Sequence, residues 1–175
     1  AQLSDEDRKK GVIAVSAGNH AQGVAWAAEK FGISSTIIMP KTSPLVKIMN
    51  TEALGAKVIL EGENVDESFE FVKEYIKEHD KVFIHPFNHQ DIIYGQGSIG
   101  FELKDQIESM DFLFGSIGGG GLMAGVGTVV KELFPNCSII GSQSTGAASM
   151  IKSLQQGKLF ESETVRTFAD GIKVK

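Results

Sequence analysis

Six short apolar, β-branched runs alternate with longer amphipathic ones along the whole chain, and no other feature constrains the fold as tightly. The runs at 12–15, 36–39, 57–60, 82–85, 112–116 and 138–142 read as strands. Residues 19–31, 44–54, 65–79, 90–108, 121–134 and 146–156 read as helices. Within 65–79, Val65, Phe69, Val72 and Ile76 follow one another at spacings of 4, 3 and 4, the apolar stripe of a helix. Glycine after Phe31 and after Leu54 predicts left-handed helix caps, and Pro135 closes the helix that reaches Phe134. Near-continuous apolar strands separated by helices predict an α/β fold with parallel sheets flanked by helices on both faces. Right-handed crossovers then bring the C-terminal ends of the strands to one edge, where ligands bind in such folds. The loops that follow strands are therefore the ones to read for chemistry.

A length of 175 residues suits one domain or two small lobes. The expected division is a small lobe at 11–97 and part of a larger one at 98–175, because Gly95, Gly97 and Gly100 permit a hinge; a plain helix with small packing residues fits those glycines equally well. Residues 1–10 read as the end of a truncated helix, since the acidic start Ala1-Gln2-Leu3-Ser4-Asp5-Glu6-Asp7 has no Met and no signal-peptide pattern. A net charge of −5 excludes a general nucleic-acid binder, which carries a basic patch. The one cysteine, Cys137, lies in an apolar run and reads as a core residue; it excludes a disulfide framework and fits a reducing cytoplasm. No apolar run approaches the ~18 residues of a membrane-spanning helix, so no membrane partner is expected.

Twenty glycines against a usual share of roughly 7% demand tight turns or close backbone approach somewhere. Gly118, Gly119, Gly120 and Gly121 follow a strand and open a helix, so successive N–H groups and the helix dipole can converge on an anion such as a phosphate. The bland alternative is a turn with no ligand. Gly119-x-Gly121-x-x-Ala124 also satisfies the dinucleotide fingerprint, but the acidic ribose partner expected about 20 residues on is replaced by Gln143. Ser16, Ala17, Gly18, Asn19 and His20 form a second strand–helix junction, offering a hydroxyl, an amide, an imidazole and a run of N–H groups. That set suits a carboxylate with a neighbouring polar ring oxygen. Taken singly, Ser16 or Asn19 reads equally well as a helix N-cap, and His20 as a structural histidine.

Four segments together carry a resemblance. Ser16-Ala17-Gly18-Asn19-His20-Ala21-Gln22-Gly23, Gly95-Gln96-Gly97-Ser98, the glycine run through Leu122, and Ala169-Asp170-Gly171 occur in this order. They resemble the threonine/serine dehydratases, members of the fold-type II pyridoxal-phosphate enzymes (tryptophan synthase β-like fold), across essentially the whole chain. The resemblance implies that Gly118, Gly119, Gly120, Gly121 and Leu122 bind the phosphate of pyridoxal 5'-phosphate through backbone N–H groups. It implies that Asn19 hydrogen-bonds the ring oxygen, and that Ser16, Gly18, Asn19 and His20 receive the carboxylate of an amino-acid substrate. The implied reaction is β-elimination of water from L-threonine or L-serine to a 2-oxo acid and ammonia, in a cytoplasmic homo-oligomer of amino-acid metabolism, with isoleucine biosynthesis as the expected pathway.

Three departures sharpen these expectations. Serine racemases resembling this family carry a second serine where Ala17 stands; without an exchangeable proton there, elimination is expected over racemisation. A racemase or serine-preferring dehydratase is the alternative enzyme, and a non-catalytic phosphate-binding remnant the alternative class. The racemases also hold a divalent cation at positions matching Gln143 and Ser149, where an amide and a hydroxyl make a poor site, so no metal is expected. Finally, the family's Schiff-base lysine lies in a Ser-Phe-Lys-x-Arg-Gly stretch that does not occur in this sequence. The resemblance places it ahead of Ala1. The chain is therefore expected to be a fragment with no catalytic lysine of its own and inactive alone.

Overall fold

The computed structural model describes residues 2–175 and divides into two compact units, Ala1–Pro86 and Phe87–Lys175. In the first unit α1 (Asp5–Lys10) precedes β1 (Val12–Val15), α2 (Asn19–Lys30), β2 (Ser35–Met39), α3 (Leu45–Glu52), β3 (Lys57–Leu60), α4 (Val65–His79) and β4 (Val82–Phe83). All four strands are parallel, in the order β3-β2-β1-β4. The central strands β1 and β2 are buried at every residue, as the unbroken apolar runs require, whereas β3 at the edge is exposed at both ends.

Alternation along the strands builds a core on each face. Ala14, Ile37 and Met39 meet Ala21 and Ala25 of α2 on one side. Ile13, Val15 and Ile38 meet Val72, Phe69 and Ile76 of α4 on the other. Each such fully buried aliphatic side chain contributes roughly 1.5–3 kcal/mol, and these three residues of α4 belong to the expected stripe; Val65, the first residue of the helix, stays exposed. Gly32 (φ +65°) ends α2 with the Ile33 N–H bonded to Ala28 O at 2.8 Å, and Gly55 (φ +79°) closes α3. β4 is shorter than the expected 82–85, although the Ile84 N–H still reaches Ile13 O at 2.9 Å before Pro86 ends the ladder. The first helix starts at Asp5, where Ser4 accepts a bond from the Asp7 N–H and caps it.

The second unit comprises α5 (Gln90–Gln106), β5 (Phe112–Ser116), α6 (Gly121–Leu133), β6 (Ser138–Ser142), a 3-10 turn at Thr145–Ala147, α7 (Ser149–Gln156) and a second turn at Asp170–Ile172. The expected helix at 146–156 is thus split in two. β5 and β6 pair in parallel, and Val126, Val130, Phe134 and the fully buried Cys137 form the core beneath them. The unit boundary lies ahead of the expected 97/98 division, for a physical reason. Gly97 and Gly100 sit inside an unbroken α5 and let it pack on α6: a Cβ at Gly100 would lie 2.7 Å from Val129 Cγ1, and one at Gly97 3.1 Å from Val129 Cγ2. These glycines serve close packing, not a hinge.

Two glycines of the helix pair are therefore expected to respond in opposite senses. At Gly125 a Cβ would collide with the Ile93 carbonyl oxygen, so Gly125→Ala should cost about 1–3 kcal/mol in urea unfolding. Gly95 has nothing within 4 Å of its Cβ position, so Gly95→Ala should stabilise by up to about 1 kcal/mol through helix propensity.

Candidate functional site

In the first unit, β1 hands over to α2 through Ser16, Ala17 and Gly18. The Ser16 N–H still pairs with Ile38 O (3.2 Å), which holds this residue to the sheet edge. Its Oγ accepts a bond from the Gly18 N–H (3.1 Å) and closes the turn. Gly18 is the N-cap of α2, and no side-chain hydrogen bond caps the helix; the first intrahelical bond runs from the Gln22 N–H to Gly18 O at 3.4 Å. Neither Ser16 nor Asn19 acts as a cap. The first-turn N–H groups of Asn19, His20 and Ala21 are consequently left without a side-chain acceptor, at the positive end of a helix dipole. Ser16, Gly18 and His20 are half-buried and Asn19 is exposed. By contrast α1, α4 and α5 carry side-chain caps from Ser4, Asn64 and His89.

His20 does more than occupy this turn. Its Nε2 lies 3.1 Å from the Ile84 carbonyl oxygen at the end of β4. Burial pushes the imidazole pKa below its ordinary value, against the opposing bond to Ile84, and the neighbouring His85 pushes it the same way as burial. The ring is therefore neutral at pH 7.

In the second unit, β5 leads through Ile117 into the glycine run. The Ile117 N–H continues the ladder to Ser142 O (2.8 Å), and Gly120 takes a left-handed conformation (φ +88°) as the N-cap of α6. No side-chain bond caps this helix either; its first internal bond is from the Ala124 N–H to Gly120 O at 2.9 Å. The N–H groups of Gly121, Leu122 and Met123 are open to an anion in the same sense as those of α2. Leu122 itself is exposed.

Protein neighbours, not a ligand, make glycine necessary at these positions. A Cβ at Gly119 would enter the Phe87 ring, and one at Gly121 would lie 2.6 Å from Phe87 O. At Gly118 it would meet Ile172 Cα at 3.0 Å, and at Gly120 Met150 Cε at 2.8 Å. The loop is a packed cradle, not a slack turn. Its open N–H groups fit an anion such as a phosphate, and the Ala169-Asp170-Gly171 segment runs beside it through Ile172. Sequence reasoning missed Phe87 as the residue that backs the cradle; the Pro86-Phe87 step follows a strand, and that was the available signal.

Gln143 stands at the end of β6, where a dinucleotide site would need a carboxylate. Its Oε1 accepts a bond from the Ile151 N–H (2.9 Å) and caps α7 instead. Ser149 is buried at the start of the same helix. Among the described residues no group of three or more His, Cys, Asp or Glu side chains could hold a metal ion, and no helix is long and apolar enough to cross a membrane.

Comparison with known proteins shows the family and the fold. The model of a family described as pyridoxal-phosphate dependent enzymes matches residues 1–175. The chain is 47% identical to an L-threonine ammonia-lyase of Thermotoga maritima, over all of the chain and 44% of that protein. It is 43% identical to a catabolic L-threonine dehydratase of Staphylococcus aureus, over 99% of the chain and 50% of that protein. Among solved structures, the processed form of threonine deaminase isoform 2 from Solanum lycopersicum superposes with a TM-score of 0.92 at 44% identity, over 99% of the chain and 50% of that structure. Maize serine racemase follows at 0.91 and 34%, over 98% of the chain and 52% of that structure. The chain spans about half the length of the relatives it matches.

The neutral His20 sets a pH dependence. A folded-state pKa lowered below the unfolded value of about 6.5 contributes stability that is fully present above that value and is lost as pH falls through the folded pKa. Urea midpoints should therefore drop as pH is lowered from about 7 into the acid range, and His20→Gln should remove part of that slope. Gly121→Ala should weaken the cradle by about 1–3 kcal/mol, read as a lower unfolding midpoint.

Proposed function

The chain belongs to the pyridoxal-phosphate-dependent enzyme family, and on that premise we propose that the protein containing it eliminates water from L-threonine or L-serine to give a 2-oxo acid and ammonia. One observation carries the reading: α2 and α6 each follow a parallel strand, start on a glycine N-cap (Gly18 and Gly120) and leave first-turn N–H groups without a side-chain cap. The identities to threonine ammonia-lyase and dehydratases support the choice of reaction.

The residue roles follow from the donors available. Gly118, Gly119, Gly120, Gly121 and Leu122 hold the cofactor phosphate through the backbone, with the α6 dipole behind it. Ser16, Gly18, Asn19 and His20 receive the substrate carboxylate at the α2 N-terminus, and the exposed Asn19 amide donates to the oxygen of the cofactor ring. Pyridoxal phosphate, when bound, supplies an electron sink that stabilises negative charge at the amino acid α-carbon. The turn at Gly18 contributes orientation, and Ala17 contributes an absence: its methyl group cannot deliver a proton to that carbon, which favours elimination over racemisation. We assign the first unit to substrate and the second to cofactor, in a cytoplasmic homo-oligomer without nucleic-acid partners or a metal requirement. Isoleucine biosynthesis is the proposed pathway.

Release of 2-oxobutanoate from L-threonine and of pyruvate from L-serine by the full-length protein tests the reading. We expect threonine to give the higher kcat/KM and no D-serine to form; D-serine at a comparable rate would sink the Ala17 argument. Asn19→Ala should lower kcat/KM about ten- to a hundredfold, the equivalent of one hydrogen bond to a charged partner.

A further inference from the structure

We infer that the His20 imidazole is a strut and not a substrate ligand: its Nε2–H ties the first turn of α2 to the end of β4, and only the His20 backbone N–H faces the anion. The proposal deepens the carboxylate reading of the 16–20 loop and rests on it for its functional half.

The bond itself decides the tautomer. A carbonyl oxygen accepts and cannot donate, so the contact of 3.1 Å between Nε2 and Ile84 O places the proton on Nε2. In a neutral imidazole the other nitrogen, Nδ1, then has a lone pair and no hydrogen. Such a nitrogen repels a carboxylate. A positively charged ring would be needed for the side chain to bind the anion, and burial together with His85 opposes that charge. The imidazole is thus ill suited to the role that its position in the turn suggests.

Its position suits a strut. Gly18 is the N-cap, so Asn19, His20 and Ala21 supply the first three N–H groups of α2. The helix has no side-chain cap to fix the direction of those groups, and Gly18 upstream, held through its N–H to Ser16 Oγ, has no side chain to pack. The first internal bond, at 3.4 Å, is long. The turn is restrained from the sheet side by β1 through Ser16 and by the packing of Ala21 and Ala25 on the sheet, and His20 adds a lateral hydrogen bond that packing alone does not supply. Ile84 is a firm anchor, because its own N–H is bonded to Ile13 O at 2.9 Å. Phe69 and Phe83 pack against the following His85 ring, with centroids 6.2 and 5.9 Å away, and stiffen that end of β4. A lateral bond from the second residue of the helix to a neighbouring strand sets the aim of the N–H groups before substrate arrives.

The expected signature is in ground-state binding. In the full-length holoenzyme, His20→Phe keeps a planar aromatic ring, somewhat larger, and removes the donor, and His20→Asn offers a donor only at the Nδ1 distance. Both should raise KM for the amino acid about tenfold, the equivalent of one buried hydrogen bond, with a much smaller change in kcat. His20→Gln places an amide N–H at the Nε2 distance and should recover most of that loss relative to His20→Asn. Independently of activity, long-range 1H–15N spectra of histidine-labelled protein at pH 7 should show the His20 ring neutral and protonated on Nε2, its signals assigned by their disappearance in His20→Gln. A ring protonated on Nδ1, or charged, would overturn the strut. Equal KM values for the Asn and Gln variants would overturn the Nε2 assignment. A ring protonated on Nε2 in a protein whose KM ignores every His20 substitution would overturn the link to anion binding, the outcome expected if the carboxylate reading itself fails.

Discussion

The parallel pairing of β1 with β2, sealed between two helical layers, is the constraint on which the first unit depends. The register Val12↔Ser35 through Val15↔Ile38 leaves no side chain of β1 exposed, so the strand cannot slip by one residue without reversing both faces of the core. That register fixes where the chain leaves the sheet, and the Ser16 N–H bond to Ile38 O extends it by one step. Small residues then matter as much as large ones. Ala14 in the strand faces Ala21 and Ala25 in α2, and the short side chains draw the helix against the sheet. The loop between them is tight because its two ends are held by packing, and its exposed backbone donors are a consequence.

The second unit reaches a similar backbone arrangement by a different route. Its loop is shaped from behind, by Phe87 against Gly119 and Gly121 and by Ile172 and Met150 against their neighbours. Glycine at these positions is a packing requirement first. An anion at the α6 N-terminus would add its own stabilisation to a loop that is already built. Ser4, Asn64 and His89 cap α1, α4 and α5, and α3 starts after Pro44 without a side-chain cap; the helices that follow β1 and β5 start on glycine, also with no side-chain cap. A helix start that lacks its own acceptor is chemically available to a ligand's oxygen atoms.

Much of this was legible in the residues, with instructive exceptions. The strands were readable because buried parallel strands need unbroken apolar runs, and the caps at Gly32 and Gly55 because only glycine tolerates their positive φ without strain. Helical periodicity placed Val65 in the stripe of α4, but periodicity does not say which members of a stripe are covered, and Val65 is exposed. Gly97 and Gly100 were ambiguous for a deeper reason. A missing side chain permits both bending and close approach, and only the presence of Val129 on a neighbouring helix selects the second; Gly95 has no such neighbour. Ser16 and Asn19 were equally ambiguous, because a short polar side chain can close a turn or cap a helix. The Ser16 Oγ closes the turn.

By itself the sequence determined the element order, the parallel α/β class and the two glycine-containing strand–helix junctions, because these follow from local periodicity, turn preference and motif order. Only the tertiary structure decided what backs and aims those loops. Phe87 behind the glycine cradle and Ile84 O beside His20 are partners distant along the chain, and a hydrogen bond across a separation of 64 residues leaves no periodic trace. A residue's type states which bonds it is able to make; the fold states which of them it makes.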